Sequence, residues 1–376
     1  GLLGTPMTRT ALLKFVWRQW RSLGLGKMTD IARLLMTSPR DWLQDTFEDP
    51  RLHCAFSTWG LHLDFAPDVA GGAIFPCLEA LGGQAQGMVI GKGGAATVTD
   101  ALVRMIEAHG GSVTCDADVR AISHTHGTVT GLSVNGEDIA AETVLAGLAP
   151  RHLSTLIGDS GHARFDAGLD AFRHAPGTMM IHLALDGPVP WAAPELGRFA
   201  YVHVGQSIDA TAQTYQQAMA GLLPDSPVLV VGQPSVFDPT RAPEGKQTLW
   251  VQVRVLPADI AGDAKGKISA RDWDQAKAPF AARVIDQLEE QAPGVRDRIL
   301  AQTVVSPRDL EAGNPNLVGG DQLCGSHHLR QNFLFRPVRG FADGTTPIKG
   351  LHMIGAAVWP GAGTGAGSGF FKAQDL

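Results

Sequence analysis

A glycine-rich run near the end of the sequence places the strongest constraint on the fold. Residues 355–369 hold six glycines in fifteen positions and follow an apolar segment at 351–354. Glycine lets a backbone approach a ligand closely, because it lacks a Cβ and tolerates positive φ. Trp359 and Pro360 within the run argue against a flexible tail. The pattern favours a backbone-lined cradle for a large flat or anionic cofactor.

Composition excludes several classes of protein. Apolar residues make up 44% of the 376 residues and charged residues 18%, which suffices for a substantial core and excludes a disordered or fibrous chain. The formal net charge of −6 gives no reason to expect a nucleic-acid partner. Four scattered cysteines without a CxxC pair predict reduced thiols and a cytoplasmic location.

The start of the chain is basic, with a net charge of +6 over residues 1–40. Residues 8–36 read as a helix interrupted at Gly24 and Gly26. Its apolar side chains are assigned to one face: Leu12, Leu13, Phe15, Val16, Trp20 and Leu23. The segment 8–23 is a candidate for peripheral membrane contact, and a helix whose arginines pack on the acidic remainder is the favoured alternative. No apolar run approaches the ~18–20 residues of a spanning helix. Because Arg and Lys interleave the opening apolar residues, no signal peptide is expected.

The remaining pattern predicts an α/β (α+β) chain. Residues 97–108 form a helix with an apolar stripe of Val98, Leu102, Met105 and Ile106, ended by Gly110-Gly111. Short strands follow at 112–115, 119–123, 129–134 and 144–145, with a hairpin turn at Asn135-Gly136. Longer strands are predicted at 179–185, 200–204, 228–231 and 249–256, and a helix at 279–291. Within the last strand, apolar residues alternate with Trp250, Gln252 and Arg254. A further helix is predicted after Ser38-Pro39, where Ser38 can cap it and Pro39 can occupy its first turn.

Other chemical motifs are weak. Gly91-Lys-Gly-Gly-Ala-Ala96 formally matches GxGxxA, but its preceding strand is interrupted by Gln84 and Gln86. A loop in which the backbone runs close to a ligand is the favoured interpretation. The same residues do not match the P-loop pattern, and the sequences around Ser207 and Ser368 do not match the nucleophile-elbow pattern. The His and Cys pairs lack the spacing of zinc ligands, so no metal site is predicted.

Several segments together resemble the phytoene desaturase-like FAD-dependent oxidoreductases, which belong to the carotenoid desaturase, retinol saturase and amine oxidase superfamily. The block from Gly91 to Pro150 resembles the second part of their FAD-binding domain. Residues 238–245, Asp-Pro-Thr-Arg-Ala-Pro-Glu-Gly, are similar to a substrate-domain hairpin. The segments 335–338, 346–355 and 360–363 resemble the closing flavin segment, which is the most specific part of the match.

The resemblance implies a set of FAD-binding residues. Val119 matches a valine whose backbone meets the adenine, and Gly355 and Ala356 match the strand end at the pyrophosphate and ribityl chain. Gly361, Gly363 and Gly365 match the turn beside the flavin ring, and Lys92, Gly93 and Gly94 match the loop near the isoalloxazine. Trp359 stands where the family commonly has a smaller residue or His, and it is included as a cofactor contact. No catalytic residue is assigned.

The resemblance also marks a difference, because no unit like the family's opening GxGxxG unit lies before Gly91. The chain therefore resembles the family without its first FAD-binding portion. Three explanations stay open: an ordered fragment of a longer protein, a subunit completed by another chain or by a homo-oligomer, or a degenerate protein that has lost flavin. An open sheet edge and an uncovered apolar face favour the first two.

The predicted organisation has four parts. Residues 1–86 are predicted to form a helical cap and the start of the substrate domain. Residues 87–150 are predicted to form the second part of a Rossmann-like FAD-binding domain, and residues 151–334 a substrate domain with a mixed or antiparallel sheet. Residues 335–376 are predicted to form the C-terminal FAD-binding segment. The predicted function is a FAD-dependent oxidoreductase of desaturase, saturase or isomerase type acting on an apolar, isoprenoid or lipid-like substrate. The alternative is a non-catalytic or partner-completed subunit that does not bind FAD alone.

Overall fold

A computed structural model describes residues 2–87, 89–363 and 366–376 of the chain. The helices are α1 (Arg9–Leu34), α2 (Pro39–Thr46), α3 (Pro50–Gly60), α4 (Ile74–Gln86), α5 (Ala96–Ala108), α6 (Pro150–Ile157), α7 (Ala163–Asp170), α8 (Ile208–Met219), α9 (Trp273–Gln291), α10 (Pro307–Gly313) and α11 (Gly367–Asp375). The strands are β1 (Val119–Thr125), β2 (Thr128–Val134), β3 (Glu137–Ala140), β4 (Val144–Ala146), β5 (Gly177–Leu185), β6 (Tyr201–Val204), β7 (Leu222–Leu223), β8 (Val228–Gly232), β9 (Gln247–Leu256), β10 (Gly262–Asp263), β11 (Ile299–Val305) and β12 (Leu351–Met353).

The larger core surrounds a five-stranded antiparallel sheet of order β11-β5-β9-β8-β6. Along β9, Leu249, Val251 and Val253 are buried, and the residues between them are half-buried. The buried side chains pack with Phe280 and Val284 of α9 in one cluster. The predicted alternation of β9 therefore reflects one face against α9 and a second, more polar face.

The second core combines a three-stranded meander, β1-β2-β3, with the parallel pair β4–β12 and helices α6 and α7. Its hairpin turn is Asn135-Gly136, both with positive φ, as expected of a two-residue turn that follows the twist of the strands. The turn leads into β3, a strand that was not predicted. An isolated bridge between Thr128 and Lys349 links the meander to the segment before β12.

α3 lies over part of the polar face of the larger sheet. The Ser38 side chain accepts the Asp41 amide at 3.1 Å and caps α2, with Pro39 in the first turn, as the sequence predicts. α3 packs against α8, and the ring of Trp59 lies against His203 of β6. α1 is interrupted at Gly24, which has a φ of 77° and ψ of 167°.

Two predicted elements differ from the structure, and one edge strand was not predicted. Residues 112–115 form no strand, because none of the described strands runs beside them to complete a ladder. α9 begins six residues before Pro279, because the carboxylate of Asp272 accepts the Gln275 amide at 2.9 Å and caps an earlier start. The edge strand β11 was missed, since its polar residues interrupt the apolar pattern.

Candidate functional site

The parallel strands β4 and β12 end side by side, and each is followed within two residues by a glycine. β4 and β12 pair along their full three residues, and Gly147 and Gly355 follow their carboxyl ends. A Cβ placed on Gly355 would lie 3.7 Å from the Cα of Gly147, so the two backbones face each other without a side chain between them. Ligands of open parallel sheets bind at the carboxyl ends of the strands. This edge is therefore the natural candidate for a cofactor crevice.

An apolar cavity opens beside this edge. Val119, Ile122 and Leu132 line it from the meander, and Gly147 lines it from the end of β4. Asp118 adds a carboxylate to its lining. A mostly apolar pocket with a few polar groups suits a nucleoside. The structure thus brings Val119 to the same crevice as the strand ends.

Ser368 fixes the C-terminal segment against the end of β12. The amide of Gly355 donates to the Ser368 hydroxyl oxygen at 2.8 Å, and that hydroxyl donates to the Gly355 carbonyl at 3.1 Å. Gly355 has a φ of 88°, a conformation that glycine adopts without strain. These bonds place the start of α11 at the end of β12, so the positive end of the helix dipole lies at the crevice.

Arg336 holds the turn that follows Gly355 from within the core. Its side chain is fully buried and donates to the carbonyls of Ala356 and Ser326, each at 2.8 Å, and of Cys324 at 3.1 Å. Burial lowers the pKa of its guanidinium to about 10. Arg336 belongs to the segment 335–338 that resembles the closing flavin segment, but the sequence predicts no role for its side chain. Its position between Phe335 and Pro337 was the available signal of burial.

The glycine turn near the C-terminus is partly constrained by packing. Gly361 has a φ of 95°, and a Cβ there would lie 2.4 Å from Nε2 of His327, so only glycine fits. Gly363 has a φ of 75° and open space around its missing Cβ. Gly365, also predicted to contact the cofactor, lies outside the described residues.

The side chain of Trp359 packs against other residues of the chain. Its side chain is buried, its indole N–H donates to the Thr5 carbonyl at 3.0 Å, and its ring lies 5.2 Å from that of Phe333. With Met7 and Ala342 it forms a small core cluster. Its predicted cofactor contact stays a prediction, and its observed role is to join the two ends of the chain.

The glycine loop at 91–94 is anchored to the segment 238–241, which precedes β9. The Gly93 amide donates to Oδ2 of Asp238 at 2.7 Å, and Nη2 of Arg241 donates to the Gly91 carbonyl at 2.6 Å. Nε of Arg241 also donates to Asp238 Oδ2 at 3.0 Å. Lys92 is exposed between the two anchored residues. The sequence predicts the loop at 91–94 and the segment 238–245 separately, but it does not predict the contact between them.

The carboxylate of Asp238 is strongly stabilised in its charged form. The Thr240 hydroxyl donates to Oδ1 at 2.5 Å and contributes most, followed by the Gly93 amide and the Arg241 guanidinium. These donors hold the pKa of Asp238 well below its ordinary value. The loop is therefore held by a charge-assisted hydrogen bond throughout the neutral pH range.

A polar cluster lies on the face of the larger sheet beneath the N-terminal helices. Nη2 of Arg254 lies 3.4 Å from Nδ1 of His62, and the Nε2 atoms of His62 and His203 are 3.2 Å apart. Arg254 can only donate, so neutral His62 accepts at Nδ1 and donates from Nε2 to His203. The Trp59 ring packs on both imidazoles.

Both imidazoles are neutral at physiological pH. Burial and then the charge of Arg254 lower the pKa of His203 to about 4 and that of His62 well below its ordinary value. An ordered pair of neutral imidazoles beside an indole can orient a substrate and hold a proton at a defined nitrogen. The sequence offered no signal, because the three polar residues lie on segments far apart in the chain.

A second polar network lies close to Arg254, which lines one small cavity together with Asp64. The Tyr215 hydroxyl donates to Oδ1 of Asp64 at 2.9 Å, and Nε2 of His328 lies 3.3 Å from Oδ2. Burial raises the pKa of Asp64 to about 6. The network joins α8 to two loops and contributes a structural contact between distant parts of the chain.

In the ranges that the structure describes, no three His, Cys, Asp or Glu side chains are grouped as metal ligands would be. Within the same ranges, none of the helices combines the length and the apolar character needed to cross a membrane.

Two curated proteins illustrate what this chain is similar to in sequence. A rat (Rattus norvegicus) protein called pyridine nucleotide-disulfide oxidoreductase domain-containing protein 2 is 26% identical over 74% of this chain and 49% of its own length. The phytoene desaturase (neurosporene-forming) of Rhodobacter capsulatus is 28% identical over 75% of this chain and 52% of its own. The chain thus spans about half the length of these curated relatives.

The fold is shared with solved structures. An oxidoreductase from Methanosarcina mazei superposes with a TM-score of 0.62 at 17% identity, covering 90% of this chain and 68% of that one. The predicted α/β (α+β) fold with an antiparallel sheet is confirmed. The model of the family described as flavin containing amine oxidoreductase matches residues 10–310, so the predicted superfamily and its flavin cofactor are confirmed. This chain belongs to the flavin containing amine oxidoreductase family.

Proposed function

We propose that this chain contributes the substrate-binding part and the C-terminal flavin segment of a FAD-dependent oxidoreductase. The observation that carries the proposal is the crevice at the ends of β4 and β12, where Gly147 and Gly355 face each other beside an apolar cavity. Family membership supports a flavin in that crevice.

The residues of the crevice fit the cofactor. The cavity at Val119 suits the adenosine end, and the strand end at Gly355 and Ala356 suits the chain that joins adenosine to the ring. Gly363 leaves open space where a side chain would stand, and Lys92, Gly93 and Gly94 are proposed to face the ring. When bound, a flavin accepts or donates hydride.

The proposed substrate is an apolar molecule of isoprenoid or lipid type. Two relatives support this class by name, the phytoene desaturase and a carotenoid 3,4-desaturase of Haloarcula japonica. The polar face of the sheet would orient it through Trp59, Trp250 and the neutral His62–His203 pair. α3 covers this face and excludes water from it.

A nucleotide-binding unit, on the same polypeptide or on another chain, is proposed to complete the site. The apolar stripe of α5 is exposed, with Leu102 54% and Met105 59% accessible, although its periodicity is that of a packed helix. Leu145 of the short β4–β12 sheet is also 46% exposed. Monomeric proteins rarely leave large apolar patches uncovered.

FAD binding is tested with Gly147→Leu. Gly147 has room for a side chain, since only Ile354 Cγ1 lies within 4 Å of its Cβ position, and its φ is ordinary. The variant should fold normally and lose FAD, measured by absorbance in the flavin bands of the protein isolated with its natural partners. Gly197→Leu, at another open glycine, is the matched control and should keep its flavin.

The alternative, a subunit that does not carry flavin, makes the opposite prediction. A colourless preparation whose intact mass equals that of these 376 residues, and which fails to quench the fluorescence of added FAD, would support it. A yellow preparation with a longer chain or a second chain would support the completed oxidoreductase.

A further inference from the structure

The apolar side chains in the first part of α1 differ in exposure. Leu12 and Phe15 are half-buried, and Leu12 packs in the cluster of Met7 and Trp359. A second set, here called the outer stripe, projects into solvent at spacings of three and four residues and exposes 42–70% of each side chain: Leu13, Val16, Trp17 and Trp20. No residue of α1 is buried. The apolar side chains expected on one face therefore differ in exposure, with Leu12 and Phe15 half-buried and the outer stripe open to solvent.

Basic side chains border the outer stripe. Lys14, Arg18 and Arg21 each follow a stripe residue by one position, so they form a parallel row along the helix. Over the described ranges, none of the six Arg and Lys residues of α1 forms an ion pair with a carboxylate. Within this row, Arg21 stacks on the ring of Trp17, with its Cζ 5.2 Å from the ring centroid. The expectation that these cations pack on acidic groups of the chain is therefore not met.

We propose that the outer stripe is a docking surface for an anionic membrane. Tryptophan and leucine beside a row of cations are the composition of helices that lie in the lipid headgroup region. The surplus positive charge selects an anionic surface, since Asp30 is the only acidic residue of the helix. The proposal does not require bound flavin.

The exposed stripe of α5 does not fit a membrane in the same way. α5 carries Asp100, Arg104 and Glu107, so its surplus charge is negative and an anionic lipid surface would repel it. The two exposed stripes thus have different partners: lipid for the outer stripe of α1, and a protein unit for α5.

The docking surface lies on the helix that contacts the C-terminal flavin segment. Leu12 packs in the cluster that contains Trp359 and Met7. One helix therefore presents lipid-binding side chains along the outer stripe and contacts the segment of the proposed cofactor crevice through Leu12. This arrangement suits an enzyme whose substrate is taken from a membrane.

The test measures binding of the full chain to vesicles by co-sedimentation and by tryptophan fluorescence. Vesicles of phosphatidylcholine alone are compared with vesicles in which roughly one lipid in four is phosphatidylglycerol. Binding is expected only to the anionic vesicles and should weaken at high salt. Lys14→Gln, Arg18→Gln and Arg21→Gln should each weaken it about fivefold. Trp17→Ser with Trp20→Ser should weaken it at least about tenfold and abolish the blue shift.

The matched control is Leu102→Ser with Met105→Ser on α5, which should leave vesicle binding unchanged. Circular dichroism establishes that each variant is folded, and the exposure of all the altered side chains favours normal folding. Equal binding to neutral vesicles, or unchanged binding by the tryptophan variant, would overturn the proposal. A dimer by light scattering that the tryptophan substitutions dissociate would show that a second copy occupies the stripe instead.

Discussion

Asp238 illustrates how one side chain controls a loop that is distant in sequence. Its carboxylate accepts the Gly93 amide and two further donors, and it is only 4% exposed. The lowered pKa means that the charged form favours the folded state above the ordinary aspartate pKa of about 4. That contribution is lost only as the pH falls through the folded-state value, so the loop should stay anchored at neutral and mildly acidic pH.

Asp238→Asn should release this anchor. A neutral amide oxygen accepts the Gly93 N–H more weakly than a carboxylate does, so the Gly93 amide should exchange with solvent severalfold faster. Hydrogen exchange measured by NMR or mass spectrometry reports this directly. Asp118→Asn, at an exposed aspartate that pairs only locally with Arg120, is the control and should leave Gly93 protected. Unchanged exchange at Gly93 in the Asp238 variant would show that the loop is held by other contacts.

Arg254 should set the protonation of the imidazole pair. Its positive charge lowers the pKa of His203, in addition to the larger effect of burial. Arg254→Met removes the charge, so the pKa of His203 should rise from about 4 towards its ordinary value without reaching it, since burial remains. Arg254→Lys keeps the charge and should keep the pKa low. Histidine NMR titration measures both, and a His203 pKa that is equal in both variants would contradict this electrostatic role.

At the scale of elements, α5 and α9 have the same sequence signature and opposite surroundings. Both show apolar residues at helical spacing, and both were predicted as packed helices. In the structure Phe280 of α9 is fully buried, whereas Val98, Leu102 and Ile106 of α5 are exposed. Periodicity predicts that a helix will form and which face is apolar, but it does not predict what packs against that face.

The two helices should therefore respond differently to truncation. Phe280→Ala should lower the free energy of unfolding by about 3–5 kcal/mol, because it leaves a cavity in the larger core. Leu102→Ala should change it by less than about 0.5 kcal/mol in the isolated chain. Urea unfolding followed by circular dichroism measures both. A large loss from Leu102→Ala in the isolated chain would mean that α5 is already covered there.

The same distinction explains what could be predicted from the sequence. The turn at Asn135-Gly136, the cap at Ser38 and the alternation of β9 depend on neighbours along the chain, and all are observed. The strand expected at 112–115 needs a partner strand beside it, and none of the described strands supplies one. The Arg254–His62–His203 cluster depends on contacts between distant segments, which one sequence does not reveal.

At the scale of the whole molecule, the two ends of the chain are joined. The indole of Trp359 donates to the Thr5 carbonyl and packs with Met7, so the segment before α1 is held by the segment that follows β12. The proposed membrane surface and the proposed flavin segment are therefore mechanically connected through one small cluster. Weakening that cluster should free the start of the chain while the larger sheet stays intact.

Trp359→Phe and Trp359→Ala test this connection. The first loses one buried hydrogen bond and should cost about 1 kcal/mol, and the second also leaves a cavity and should cost about 3–5 kcal/mol. Both should speed tryptic cleavage at Arg9 and Lys14, because these sites follow the released segment. Denaturant unfolding and timed proteolysis with mass spectrometry measure the two effects.

Trp273 provides the matched control, since it is equally buried, and its indole N–H also donates to backbone carbonyls, those of Pro257 and Ala258. It belongs to the core of the larger sheet. Trp273→Phe should lower stability by a similar amount without speeding cleavage at Arg9. Equal acceleration in both variants would show that the ends are released by general loss of stability. Selective acceleration in the Trp359 variants would show that this one side chain couples the start of α1 to the segment after β12.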